Sequence, residues 1–255
     1  DGATKVSSQT AAVGSKIDLA IENPVLWSPT TPKLYDLKVE VLRKGKVVDQ
    51  ASSYFAMRKI TMEKDAQGIQ RLMLNNKFVF HYGPLDQGWW PDGLHTAPSD
   101  EALKFDVLKT KEMGFNMIRK HIKVEPARWY YHCDSIGVLV WQDMPSGDLG
   151  GNSWDMQPGK ISGNNHDKIR TAESEAIYRK EWKAIMDALH NFPSIVMWVP
   201  FNEAWGQFKT KEITAWTVKY YASRLVNSAS GGNFFPVVHI MDIHNYPDAA
   251  MPDPL

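Results

Sequence analysis

The stretch FNMIRKHIKVEPARWYYHCDSIGVLVWQD (115–143) contains a complete strand–helix–strand unit. Residues 115–121 predict a short strand, residues 126–136 an amphipathic helix, and residues 138–143 a strand that is apolar until its end. Strands separated by one helix pair in parallel through a right-handed crossover. The stretch therefore predicts one βαβ unit of a parallel sheet.

The same alternation continues on both sides of this unit. RLMLNNKFVFHYGP (71–84) predicts a hairpin with Asn75 and Asn76 at its turn, followed by a first parallel strand that ends at Gly83. Further helices are predicted at 100–113, 172–190 and 209–226, and further strands at 195–201 and 234–242. The pattern therefore predicts five parallel strands and four complete crossovers.

Two architectures fit this alternation, an open doubly wound sheet and a (β/α)8 barrel. An open sheet usually carries a glycine-rich phosphate loop after its first strand, and HYGPLDQGWWPDG (81–93) lacks that spacing. A TIM barrel places polar residues at the C-terminal ends of several strands. Such residues are Asp86, Arg119, His121, Gln142, Asp143, Asn202, Glu203, Asp242, His244 and Asn245. We therefore predict the first five strands of a TIM barrel over residues 63–255.

Residues 1–62 predict β structure of another kind. KLYDLKVEVLRKGKVVDQ (33–50) alternates apolar and polar side chains and turns at Lys44 and Gly45. Two or three antiparallel strands are not stable alone. We therefore predict the C-terminal part of a β-sandwich over residues 1–62.

The overall composition excludes several classes of protein. With 29 basic and 29 acidic residues among 255, the chain has no net charge, which argues against a nucleic-acid partner. No apolar run reaches the roughly 18 residues of a membrane span. The start DGATKVSSQT has no apolar signal-peptide core, but a trimmed terminus would look the same. The compartment stays open, with periplasm or secretion slightly favoured over cytoplasm. A single cysteine, Cys133, excludes an intrachain disulfide.

Aromatic residues are frequent in predicted loops. Trp89, Trp90 and Trp154 stand beside Gly, Pro and Asp, where an aromatic face stacks on a ligand or simply packs the loop. The segment 145–170 is the longest without periodicity, which is typical of a functional or a disordered loop.

IVMWVPFNEAWGQF (195–208) places a carboxylate, Glu203, among three aromatic residues: Trp198, Phe201 and Trp205. Partial desolvation would raise its pKa, as suits a general acid. The neighbouring Asn202 can bridge a sugar hydroxyl. The alternative is that Glu203 caps the next helix or pairs with Lys209.

Three other residues have two readings each. Arg119 forms an ordinary salt bridge or orients a carboxylate through a bidentate fork. Asp143 bonds a substrate hydroxyl or caps a turn, and His244 binds substrate or a metal. His239 and His244, five apart on a predicted strand, point to opposite faces, which argues against a two-histidine metal site. We predict no metal site and no cofactor.

Six stretches together resemble glycoside hydrolase family 2, which includes β-galactosidases, β-glucuronidases and β-mannosidases. They are NPVLWSPTTPKLYDLKVEV with FAMRKI, LNNKFVFHYG, DVLKTKEMGFNMIRKH, YHCDSIGVLVWQDMP, NFPSIVMWVPFNEAW and MDIHNYP. The resemblance covers nearly the whole chain. It implies that the first domain is immunoglobulin-like and the second catalytic, with a retaining mechanism and two carboxylates about 5 Å apart.

The resemblance also assigns roles to individual residues. Glu203 matches the acid/base, Asn202 the partner that contacts the sugar 2-hydroxyl, and Arg119 the arginine that orients the nucleophile. The wording WQD at 141–143 is closest to the β-mannosidase branch. The predicted substrate-binding residues are Asn202, Asp143, Arg119, His244, Tyr246, Trp205 and Trp90.

The chain departs from the family pattern at several points. Ala56 stands where the family usually has Gly, and His121 lies two residues after Arg119 instead of three. The nucleophilic Glu of the family belongs at the end of strand seven, so we expect it outside this chain, along with the N-terminal jelly roll.

We therefore predict a fragment of an exo-acting retaining β-glycosidase. β-Galactoside is the first substrate expected, with β-mannoside and β-glucuronide as alternatives, and the oligomeric state stays open. One rival is a non-catalytic carbohydrate-binding relative. Another is a metal-dependent barrel hydrolase that uses His244, Asp242 and Asp143.

Overall fold

The computed structural model describes residues 2, 4–148, 167–232, 235, 237, 239, 240 and 242–248. Its first regular element is a hairpin of β1 (Tyr35–Arg43) and β2 (Lys46–Phe55), paired antiparallel. Lys44 and Gly45 both have positive φ, 51° and 75°, as a two-residue hairpin turn requires. The predicted turn at this dipeptide is confirmed.

A second antiparallel sheet follows the hairpin in sequence and precedes the parallel sheet. It contains β3 (Ile60–Lys64), β4 (Gln70–Leu74) and β5 (Lys77–Phe78). Asn75 and Asn76 form the β4–β5 turn with φ of 53° and 64°. Asparagine tolerates this left-handed region better than most residues, which confirms the predicted turn.

Within the described residues, the largest sheet is parallel and has five strands: β6 (Leu85–Asp86), β7 (Met117–Lys120), β8 (Leu139–Asp143), β9 (Ile195–Val199) and β10 (Leu225–Val226). The helices between them are α1 (Asp100–Glu112), α2 (Ala127–Ile136), α3 (Ala172–Leu189) and α4 (Thr210–Tyr220). Strands that follow one another in sequence are also neighbours in the sheet. This order and the four helices confirm the predicted run of βαβ units.

Two of the predicted strands were misplaced. The helix expected over 209–226 ends at Tyr220, and the fifth strand is Leu225–Val226. The segment that was expected to form strand five lies beside β10, because Ile240 pairs in a parallel bridge with Asn227, the residue after β10. A strand of two residues is too short to show a period of its own, so its apolar pair was read as the end of the helix. The first strand is Leu85–Asp86, just after the predicted end at Gly83.

The core lies on both faces of the sheet. Between sheet and helices, Trp198 of β9 packs edge-on against Trp182 of α3, with ring centroids 5.6 Å apart. A second buried cluster joins Val196 and Val199 of β9 to Trp27, from the segment before the hairpin, and to Leu74 of β4. β9 is thus buried on both faces, which gives the turn that follows it a rigid base.

Asp134, near the end of α2, connects the hairpin to the parallel sheet. Its Oδ2 accepts a hydrogen bond from the Tyr54 hydroxyl at 2.7 Å, and its Oδ1 one from the Ser194 backbone at 2.8 Å. Its carbonyl accepts from the indole of the fully buried Trp27 at 2.8 Å. Burial raises the pKa of Asp134 to about 7, although the bonds from Ser194 and Tyr54 act in the opposite direction.

None of the helices in the described residues has the length and apolar character of a membrane span.

Candidate active site

The turn after β9 carries Glu203 in a strained conformation. Glu203 has φ of 43° and Ala204 of 63°, both in the left-handed region that glycine prefers. The Glu203 amide donates to the Ser230 carbonyl at 2.7 Å, and the Ser230 amide donates to the Phe201 carbonyl at 2.9 Å. Strained non-glycine residues concentrate at functional sites. The turn is therefore the first candidate for chemistry.

The Glu203 carboxylate has two partners on one oxygen. Its Oε1 lies 2.8 Å from Nδ1 of His244 and 3.1 Å from the hydroxyl of Tyr246. Burial raises the pKa of Glu203, but the hydrogen bond and proximity of His244, the Tyr246 hydroxyl and nearby His121 together hold that pKa below its usual range. The expected rise of this pKa is wrong for the geometry described. The bonded partners, from a segment 41 residues further along the chain, decide the direction.

The aromatic neighbours in sequence have different places in the fold. Trp198 packs on α3, and the ring of Phe201 stacks on Tyr178 at 5.4 Å; both are fully buried. Trp205, in contrast, is 54% exposed. Two of the three rings therefore belong to the core, and Trp205 presents a face to solvent next to Glu203.

Lys209 is paired elsewhere, which removes the alternative reading of Glu203. The Lys209 ammonium donates to Glu175 at 2.7 Å. The first amide of α4, on Thr210, bonds the carboxylate of Asp167 at 2.7 Å. Glu203 therefore neither pairs with Lys209 nor caps α4.

Arg119 joins the ends of three strands. Its Nε and Nη2 donate to the two oxygens of Asp143 at 3.0 and 2.8 Å, and Nη2 also donates to Oδ1 of Asn202 at 2.7 Å. Its Nη1 lies 3.3 Å from Nε2 of His244. The side chains of Arg119 and Asp143 are 9% and 1% exposed. The salt bridge expected as one alternative for Arg119 is present and is bidentate. The predicted role of Arg119 toward the nucleophile and a substrate contact by Asp143 stay predictions.

The guanidinium of Arg119 also determines which atoms of its partners are donors. A guanidinium donates and never accepts, so Oδ1 of Asn202 acts as an acceptor. An ionised carboxylate only accepts, so Nδ1 of His244 donates to Glu203, and the Asn202 NH₂ group is left to act as the donor of that side chain. Gly231 makes room for the imidazole, because a Cβ there would lie 2.4 Å from ring atoms of His244.

Asp242 is held by groups of this chain. It accepts from the Ser230 hydroxyl at 2.5 Å, the Asn227 amide at 2.9 Å and the Gly231 backbone at 3.0 Å. Asp143 is taken by Arg119. Within the described ranges, no three His, Cys, Asp or Glu side chains are grouped as metal ligands.

A buried ion network lies beneath the loop after β6. The Lys120 ammonium is 2.6 Å from Asp86 and 2.8 Å from Glu125, and Lys123 is 2.9 Å from Glu125. Asp86 also accepts from the Gly88 amide at 2.7 Å. Sequence reasoning missed this network, although charged residues between apolar ones at 117–125 were a signal of buried pairing.

The network positions a loop that contains candidate aromatic residues. Trp89 is 58% exposed, and its ring lies tilted against that of His95, with centroids 4.3 Å apart. Trp90 is partly buried, with its indole nitrogen enclosed, and its sugar contact stays a prediction. Trp154 and most of the predicted 145–170 loop lie outside the described residues.

The sequence matches two family models in succession. The model for glycosyl hydrolases family 2 matches residues 1–58, and the model for the TIM barrel domain of the same family matches residues 57–253. The chain belongs to glycosyl hydrolase family 2. The partial sandwich followed by a partial TIM barrel, predicted from the sequence, is confirmed, whereas the domain boundary at 62/63 stays a prediction.

Relatives in this family carry β-glycosidase names. The chain is 27% identical over 229 residues to a putative β-glucuronidase of Formosa agariphila, across 88% of this chain and 20% of that protein. It is 26% identical over 219 residues to the β-galactosidase of Lactococcus lactis subsp. lactis, across 86% and 20%. It spans about a fifth of the length of these relatives.

A solved structure shows the same fold. The FMN-binding β-glucuronidase from Facaelibacterium prausnitzii L2-6 superposes with a TM-score of 0.72 at 19% identity. The match covers 88% of this chain and 33% of that chain.

Proposed function

We propose that this chain supplies the acid/base half of the active site of an exo-acting retaining β-glycosidase. The observation that carries the proposal is the bonded series Glu203–His244–Arg119–Asn202, built from the C-terminal ends of β7 and β9 and from the segment after β10. In TIM-barrel enzymes this end of the sheet carries the catalytic residues. Membership of family 2 supports the reaction class.

In this proposal Glu203 acts twice. As an acid it gives a proton to the glycosidic oxygen while a second carboxylate attacks the anomeric carbon from the opposite side. As a base it then takes a proton from water, which releases the sugar with its β configuration retained. No residue of this chain is assigned as the nucleophile.

The lowered pKa of Glu203 suits the second step. A deprotonated carboxylate, stabilised by His244 and Tyr246, is the form that activates water. For the first step Glu203 must be protonated, and a second carboxylate about 5 Å away would raise its pKa by charge repulsion. Formation of the glycosyl bond removes that charge, so the pKa falls again when the base is needed.

The other predicted residues divide into two groups. The NH₂ group of Asn202 donates to a sugar hydroxyl, and the exposed face of Trp205 stacks on the sugar or on the leaving group. Arg119, which is itself fixed by Asp143, holds Asn202 in position. His244 and Tyr246 hold the carboxylate and line the same opening.

The terminal sugar is the finer part of the proposal. We take a β-galactoside first, with β-glucuronide and β-mannoside as alternatives; the relatives named β-galactosidase and putative β-glucuronidase support the first two.

The test is Glu203→Gln in the full-length protein, assayed on alkyl β-glycosides whose leaving groups need protonation. Loss of a general acid typically costs about 10²- to 10⁴-fold, so a fall of that size is expected. Wild-type rates in the variant would contradict the proposal. A wild-type protein that binds these sugars but never hydrolyses them would instead identify a non-catalytic carbohydrate-binding relative.

A further inference from the structure

The turn that carries Glu203 contains four residues with positive φ. Glu203, Ala204 and Lys209 have φ of 43°, 63° and 39°, and Gly206 between them has 68°. Such residues keep this conformation when the surrounding structure over-determines it. The Ser230 carbonyl fixes the amide of Glu203 at the start of the turn. The middle of the turn needs a second support.

Arg170 supplies that support. Its Nε and Nη2 both donate to the Gly206 carbonyl, at 3.1 and 2.7 Å, and Nη2 also donates to the Ser146 carbonyl. The guanidinium lies over the rings of Phe208 and Tyr178, 4.5 and 5.0 Å from their centroids. A planar fork that stacks and bonds at the same time holds one geometry, which a lysine ammonium cannot reproduce.

The contact is close enough to exclude any side chain at Gly206. A Cβ there would lie 2.1 Å from the Ser146 carbonyl oxygen and 2.6 Å from Nη2 of Arg170. Ser146 bonds the turn a second time, since its hydroxyl donates to the Trp205 carbonyl at 3.1 Å. Ser146 and Arg170 therefore hold the carbonyls of two successive residues, Trp205 and Gly206.

We propose that Arg170, together with Ser146, is a positioning residue for Glu203. The clamp on the Trp205–Gly206 segment sets the direction in which the Glu203 carboxyl projects from the turn, and hence its alignment with the leaving oxygen. Arg170 bonds backbone carbonyls and contacts no reacting atom. This inference rests on the proposed function, because it gives Arg170 a role toward the acid/base of that site.

The test uses Arg170→Lys and Arg170→Met in the full-length protein. The substrates are aryl β-glycosides of one sugar with leaving groups from dinitrophenol, which departs without protonation, to methoxyphenol, which needs it. A misplacement of about 1 Å costs a positioned group about 10²-fold. We expect kcat/KM for the methoxyphenyl glycoside to fall about 30- to 100-fold. For the dinitrophenyl glycoside, kcat/KM should stay within about three-fold of the wild-type value.

The matched control is Arg179→Lys. Arg179 lies on α3, bonds Glu175 and Glu212, and lies over the ring of Trp216, so it is also a stacked and paired arginine. Its replacement leaves both substrates at wild-type rates. Ser146→Ala is the milder second variant, and it should show the same selective loss at smaller size even where Arg170→Met reduces folding.

Two results would overturn the inference. An equal fall for good and poor leaving groups would mean that Arg170 supports folding alone, and unchanged rates would mean that the turn holds itself. Glu203→Gln, measured on the same substrates, distinguishes failure of the positioning role of Arg170 from failure of the proposed function. If Glu203→Gln lacks the leaving-group dependence, the proposed function fails; if it shows the dependence and the Arg170 variants do not, the positioning role alone fails.

Discussion

The imidazole of His244 joins Glu203 to Arg119. Its Nδ1 lies 2.8 Å from Oε1 of Glu203, and its Nε2 lies 3.3 Å from Nη1 of Arg119. Because an ionised carboxylate only accepts, Nδ1 of His244 donates to Glu203 and stabilises the ionised form. A residue far along the chain thereby controls the protonation of the proposed acid/base.

Replacing His244 should raise the pKa of Glu203. In His244→Phe the burial of the carboxyl remains while its main hydrogen bond is lost, and Tyr246 and His121 alone continue to lower the pKa. The alkaline limb of the kcat/KM profile, which reports loss of the acid's proton, should move to higher pH. Tyr246→Phe should move it less, in the same direction. A limb that stays in place or moves to lower pH would contradict the assignment.

Two arginine–aspartate pairs test the role of burial. Arg119 bonds Asp143, and Arg128 bonds Asp100, each with the same bidentate atoms at 2.7 to 3.0 Å, but the second pair is exposed. Arg119→Lys leaves part of a buried carboxylate unpaired, so we expect the free energy of unfolding to fall by about 3 kcal/mol. Arg128→Lys should leave the unfolding midpoint near the wild-type value. Equal effects in denaturant titrations would contradict this account.

Asp134 should make stability depend on pH. Its pKa is raised by burial from 3.8 to about 7, so the native state binds the proton more tightly than the unfolded state. The free energy of unfolding therefore falls as pH rises from about 4 to about 7, by up to about 4 kcal/mol. Asp134→Asn should remove this slope and be more stable than wild type at pH 8, whereas Asp49→Asn, on the exposed hairpin, should keep it. A wild-type slope in Asp134→Asn would exclude Asp134 as its source.

Trp205 should contribute to substrate binding and little to stability, because 54% of it is exposed. Trp205→Ala should raise KM for aryl β-glycosides roughly three- to ten-fold, since one aromatic contact contributes about 1 kcal/mol. Trp216→Ala, which removes a partly buried ring of α4, should lower the melting temperature and leave KM unchanged. A Trp205 variant with wild-type KM and a lower melting temperature would assign that ring to packing.

The parts of the fold that are visible in the sequence are those with a local period. The unit at 115–143, the asparagine turn at 75–76 and the polar residues at strand ends each depend on neighbours in sequence, and the structure agrees. Strand β10 has two residues, too few for a period, and was read as helix.

The electrostatics of the site depend on distant contacts. Nothing near Glu203 in sequence indicates that His244 bonds it across 41 residues, so the direction of its pKa could not be read from Trp198 and Phe201. Arg170 bonds Gly206 across 36 residues, and no local sequence pattern indicates that contact.

The most direct test of the account is azide rescue of Glu203→Ala in the full-length protein, with a dinitrophenyl β-glycoside as substrate. The dinitrophenolate leaves without an acid, so the glycosyl-enzyme forms, and its hydrolysis waits for a base. Added azide needs no base, so turnover should be faster and give a β-glycosyl azide as product. Turnover that azide leaves unchanged, together with wild-type hydrolysis of alkyl β-glycosides by the variant, would show that Glu203 is not the acid/base.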